Sequence, residues 1–109
     1  MSTLRIEDYK STVFTIFGAQ ALDPITVAIQ DLATGQGRLM VECYGRAWST
    51  YWGAMGNHDV SSFVRQCGAA YVVDRLWHDG KRMTKREEGY LTRIVEAVQE
   101  ALKQRAGAA

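Results

Sequence analysis

Apolar residues recur at every second position in two stretches of the chain, leaving a mixed set on the alternate positions. Ile25, Val27 and Ile29 are separated by Thr26 and Ala28 and followed by Gln30, and Leu39, Val41 and Cys43 are interleaved with Met40, Glu42 and Tyr44. A two-residue period puts successive side chains on opposite faces, the signature of a half-buried strand, so strands are predicted over residues 25–31 and 38–44. Between them, Leu32-Ala-Thr-Gly-Gln-Gly37 contains two glycines able to adopt positive φ, which predicts an antiparallel hairpin. Upstream, Thr12-Val-Phe-Thr-Ile-Phe17 is dense in β-branched and aromatic residues and ends at Gly18, predicting a further strand over residues 12–17. The connector Ala19 to Pro24 holds the single proline of the chain, placed just ahead of a strand where a missing N–H does little harm.

The period then changes. Trp48, Tyr51, Trp52 and Met55 stand at i, i+3, i+4 and i+7, which predicts a short helix between Gly45 and Gly56. Asp59 is placed to cap a second short helix whose face is Val60, Phe63, Val64 and Cys67, with Gly68 as its stop. The segment Ala69 to Trp77 fits either period, and its helical neighbours favour a helix. After a break at His78-Asp-Gly80, Thr84-Lys-Arg-Glu87 matches a reciprocal capping box. The long helix that follows has the apolar stripe Leu91, Ile94, Val95, Val98 and Leu102, with Arg93, Glu96, Glu100 and Lys103 on its wet side. The reading is an α+β fold: a three-stranded antiparallel β-meander followed by short helices and a long C-terminal helix packed on one face. The exposed edges of such a small sheet invite self-association, and a homodimer is expected.

With 109 residues and 47% apolar side chains the chain suits one core and one domain, 1–109, with residues 1–10 and 105–109 expected as flexible ends. Arg5, Glu7, Asp8 and Lys10 interrupt the apolar run an export signal would need, and no stretch is apolar enough to span a bilayer, so a cytoplasmic protein without a membrane partner is expected. Cys43 and Cys67 are far apart and without a C-x-x-C motif, and read as free thiols.

Thirteen Lys and Arg against twelve Asp and Glu leave a net charge of +1, small for a strong nonspecific polyanion binder. The charge is unevenly spread, however. Residues 75–109 carry eight basic and five acidic side chains, net +3, against five and seven, net −2, in residues 1–74. Lys81, Arg82, Lys85 and Arg86 cluster where the last helix begins. Cations are unfavourable at a helix N-terminus, so they are candidate phosphate contacts, against the plainer reading of a solvated loop balanced by Asp79, Glu87 and Glu88. A second group comprises Arg46, Trp48, Tyr51, Trp52 and His58. Aromatic rings beside an arginine can stack bases, while helical spacing alone would make the same rings core, leaving Arg46 as the residue least explained.

Cys43, Cys67, His58 and His78 supply zinc-type ligands by count, but in no finger or ribbon spacing, so no metal and no other cofactor is expected. Neither a phosphate-binding glycine motif nor H-E-x-x-H occurs. His58 next to Asp59, with Ser61 and Ser62 following, does not make a catalytic triad by adjacency.

The run Ile25-Thr-Val through Gly35-Gln-Gly-Arg38, then Val41-Glu-Cys-Tyr-Gly-Arg-Ala-Trp48 and Tyr51-Trp-Gly-Ala-Met-Gly56, resembles a family of small proteins encoded by phages and prophages. The likeness covers residues 25–77. It implies a genomic setting and the cytoplasm of a bacterial host, and no activity or catalytic residue. Small size, absent catalytic motifs and this setting point to a non-enzymatic accessory protein binding a host or phage macromolecule, with a protein partner favoured by the near-neutral charge. Two rivals are a single-stranded nucleic-acid binder and a small enzyme or nucleotide-signal-binding protein with Arg46 and His58 in its pocket.

Overall fold

The computed structural model describes residues 3–78 and 80–107. Strands β1 (Lys10–Ile16), β2 (Ile25–Ala33), β3 (Gln36–Cys43) and β4 (Arg46–Trp52) form one antiparallel sheet in the order β1-β2-β3-β4. Helices α1 (Val60–Gln66), α2 (Ala69–Leu76) and α3 (Lys85–Gly107) follow, giving an α+β fold. The three expected strands are present, but the sheet has four.

The added strand is the segment expected as a helix. Tyr44 and Gly45 both have positive φ, 51° and 79°, the backbone of a type I′ turn, which matches the twist of the strands it joins. That two-residue turn lays Arg46 beside Cys43 and brings the next residues into register with β3, pairing Val41 with Trp48 and Leu39 with Thr50. Trp48, Thr50 and Trp52 point inward and are buried, whereas Ser49 and Tyr51 point outward. A helix from Gly45 would have left the edge of β3 that faces away from β2 without a ladder, and that ladder decides the matter.

The first hairpin also differs from expectation. Its turn is Thr34-Gly35, with Gly35 at φ 73° and an irregularity in the register between Asp31 and Ala33. Gly37 is not in the turn but within β3, where α1 meets the sheet. A Cβ there would overlap the Val60 side chain and lie 2.7 Å from the Gln30 carbonyl oxygen. The same junction is fixed by Asp31, whose carboxylate accepts from Val60 N–H at 3.0 Å.

The inward residues Ile25, Val27, Ile29, Leu39, Val41 and Cys43 form one core with Val60, Val64, Val72, Leu76 and the α3 stripe Leu91, Ile94, Val95, Val98 and Leu102. Asp59 caps α1 as expected, accepting from Ser62 N–H at 2.8 Å. Gly68 is the N-cap of α2 and not the stop of α1, which ends at Gln66 with Cys67 as its C-cap. Gln99 of α3 donates to the carbonyls of Val64 and Cys67 at 3.1 and 2.8 Å, satisfying the end of α1. The capping box forms in both directions: Thr84 N–H donates to Glu87 at 3.0 Å, and Glu87 N–H to the Thr84 hydroxyl at 3.1 Å.

Of the expected flexible ends, residues 1–2 and 108–109 lie outside the described residues, as does Asp79. Residues 3–9 have no regular secondary structure, and α3 continues through residues 105–107.

Three substitutions test this packing. Val95 is buried at 1% exposure, so Val95→Asp places an unpaired charge in the core at a cost of ~5 kcal/mol or more, comparable to the stability of a whole domain. Circular dichroism is expected to show loss of the cooperative transition. Gly37→Ala is expected to destabilise by about 1–3 kcal/mol in urea titrations because α1 must move. Gly89→Ala, where the added Cβ meets nothing within 4 Å, is expected to stabilise α3 by about 0.5–1 kcal/mol.

Candidate functional site

Arg46 opens β4 on the inward register, opposite Cys43 at the end of the sheet nearest the start of α3. Its guanidinium lies over the Trp48 ring, 5.1 Å from the centroid, so the tryptophan positions the cation it was expected to assist. Trp48 is 8% exposed and packs against Tyr90 at a centroid distance of 6.2 Å. Trp52 is 5% exposed, donates to Tyr71 Oη at 3.0 Å and meets Phe63 edge-on. Neither indole offers a free face for a stacked base. Tyr51 is exposed on the opposite face of the sheet, and the tract is therefore split by strand alternation.

Two grooves flank Arg46. One, of about 650 Å³, is lined by Arg46, Lys85, Arg86, Glu87, Tyr90 and Arg93. The other, of about 470 Å³, runs along β4 past Ala47, Trp48 and Ser49 to Trp77 and His78. The first brings together residues from both candidate groups: Arg46 from the aromatic tract, and Lys85 and Arg86 from the basic cluster. Among the described residues no carboxylate forms an ion pair with any of the four cations lining it. Its one acid, Glu87, is already engaged in the capping box. The Thr84 amide, then the Thr84 hydroxyl, hold this carboxyl below the usual range, with Arg46 and Lys81 adding to the effect. The cleft thus presents net positive charge next to the positive end of a 23-residue helix.

Lys81 and Arg82 are exposed on the approach to α3 and line none of the cavities described. The Lys81 carbonyl accepts from Trp77 Nε1 at 2.6 Å, which pins that loop to α2. Two cleft residues were not read as site residues from the sequence, Tyr90 and Arg93. They stand four and seven residues after Arg86, on one stripe of the helix, a spacing that could have found them.

Tyr90 reaches into the floor of the cleft, where its hydroxyl donates to Cys43 Sγ at 3.4 Å and the thiol donates to the Asp23 carbonyl at 3.5 Å. This bond, then burial, pushes the phenol up to about 12. Burial likewise raises the Cys67 thiol, so that cysteine is not activated. His58 Nδ1 and Ser62 Oγ are 2.9 Å apart, a pair one helical turn apart at the start of α1. Asp59 is spent on the cap and does not orient the imidazole. His58 lines neither of the two grooves described beside Arg46.

A family model, Phage_phiTE_072, described as a phage family, matches residues 4–86. The chain belongs to this phage family. The matched segment is longer than the one the sequence motifs cover: it adds the residues before β2 and, beyond Trp77, the basic segment up to Arg86, and stops in the first turn of α3. No curated protein and no solved structure matches the chain. No helix among the described residues is long and apolar enough to cross a membrane.

The Tyr90 bond has a consequence for pH. Because the folded phenol holds its proton more tightly than the unfolded one, its contribution is complete below about pH 10 and is lost as pH rises towards about 12. Spectrophotometric titration of the phage-family protein is expected to show a phenol ionising near pH 12 that is missing in Tyr90→Phe.

Proposed function

We propose that this phage-family protein is a non-enzymatic accessory protein that binds an acidic protein partner through the cleft between β4 and the start of α3. The observation that carries the reading is the convergence of Arg46, Lys85, Arg86 and Arg93 on one cleft without a carboxylate partner among the described residues. Four cations held close together repel one another, and an anionic surface relieves that repulsion and gains charge-assisted hydrogen bonds. Arg46 and Arg93 supply planar forks suited to carboxylates, and the Trp48 ring beneath Arg46 limits the freedom it loses on binding.

Nucleic-acid binding is the second reading, favoured by the same cleft because Lys81 and Arg82 extend its positive charge along the approach to α3. With both indoles packed in the core, recognition would run through backbone phosphates and not through stacking.

Fluorescence anisotropy with a labelled poly-glutamate peptide and with oligothymidylate, at low and physiological salt, separates the two. The proposal expects the peptide to bind better, and Lys85→Glu/Arg86→Glu to weaken it by about tenfold or more, ~1.4 kcal/mol per decade. Tighter, steeply salt-dependent binding of the oligonucleotide would transfer the cleft to the second reading. No response to either probe at low salt would remove both.

A further inference from the structure

The residues before β1 form an arm that its own chain does not use. Thr3-Leu-Arg-Ile-Glu-Asp-Tyr9 alternates Leu4 and Ile6 with polar neighbours, the pattern of a half-buried strand, yet it pairs with no strand. Leu4 is 86% and Ile6 85% exposed. The side-chain bonds described for the arm are internal, Arg5 to Glu7 and Tyr9 Oη donating to Glu7 at 2.9 Å.

At the other side of the sheet, β4 is an edge strand with an open ladder. The Tyr44-Gly45 turn makes Cys43 and Arg46 the closing pair, so the N–H and C=O groups of Arg46, Trp48, Thr50 and Trp52 face β3. Those of Ala47, Ser49 and Tyr51 consequently face outward. Tyr51 C=O confirms the phase, since Arg75 donates to it from α2. Ala47 and Ser49 receive no such cover. They line the groove of about 470 Å³ between β4 and the end of α2, whose far wall is Leu76, Trp77 and His78. Neither position carries the proline or charged side chain that usually blunts an edge.

We infer that the arm of one copy adds as a fifth strand to the β4 edge of a second copy, lying in the groove between β4 and α2. Backbone bonds to Ala47 and Ser49 supply the pairing, and Leu4 and Ile6 cover Trp77 and the end of the core. Charge selects this edge: the arm, with Glu7 and Asp8 against Arg5, is net negative, while Arg46 at one end of the groove is positive. The larger apolar groove beside α3, by contrast, carries Glu96 and Glu100 against Arg93 alone and would repel the arm.

Light scattering coupled to size-exclusion chromatography, over a range of protein concentrations, tests the exchange. The wild type is expected to dimerise, and Leu4→Asp/Ile6→Asp to elute as a folded monomer. Ser49→Pro is expected to do the same, because it removes an outward N–H and no bond to β3. Mixing the two variants sets one intact arm against one intact edge and is expected to restore a weaker dimer. Should Ser49→Pro fail to fold, a peptide of residues 3–9 decides instead, by dissociating the wild-type dimer. A wild type monomeric at every concentration, or a dimer that survives either variant or the peptide, overturns the inference. None of these substitutions touches Lys85 or Arg86, so failure here is distinguishable from failure of the cleft reading.

Discussion

The inward face of the sheet has to be covered, and a single layer of helices does it. Strand alternation collects Ile25, Val27, Ile29, Leu39, Val41, Trp48 and Trp52 on that face, and nearly every other feature is a consequence of closing it. The connection from β4 must return across the sheet, which brings α1 down onto Gly37 at a distance only a residue without a side chain allows. Helix α3 then lies over what α1 and α2 leave open, and its N-terminus lands beside the first residue of β4.

That landing creates the cleft. Cations in the first turn of a helix oppose its dipole, and the capping box of Thr84 and Glu87 offsets part of the penalty. Arg46 adds to the same local field. Its position over the Trp48 ring shows how core and surface are joined here: the indole is buried by Tyr90 on one side and carries the guanidinium on another. An accumulation of like charge is poor for stability and useful for recognition, and it lies within the stretch shared with the phage family as far as Arg86.

How much of this was legible in the chain depended on the period of each segment. Helices α1 and α3 and strands β2 and β3 could be read because one periodicity dominated in each, while β1 was read from its β-branched and aromatic residues and α2, which fits either period, from its helical neighbours. Residues 46–55 obey two at once: Trp48, Tyr51, Trp52 and Met55 satisfy a helical face, while Trp48, Thr50 and Trp52 satisfy a strand. The helical reading counted Thr50 as polar and Tyr51 as core. The structure buries the threonine and exposes the tyrosine, because β3 offered a ladder that a helix would have left unmet. Arg46, Lys85 and Arg86 were each singled out, but their meeting across almost forty positions of sequence has no local signature.

By itself the sequence determined the α+β class, the one-sided core, the caps at Asp59 and Thr84, and the residues able to carry positive charge. These follow from short-range rules, in which side-chain period and capping act within a few residues. Tertiary structure decided the fourth strand, the close approach at Gly37, the burial of both indoles, and which cations share a cleft. Each of these depends on what a distant segment offers at the moment of packing, a backbone ladder, a helix end or a neighbouring charge, and a window of sequence contains none of them.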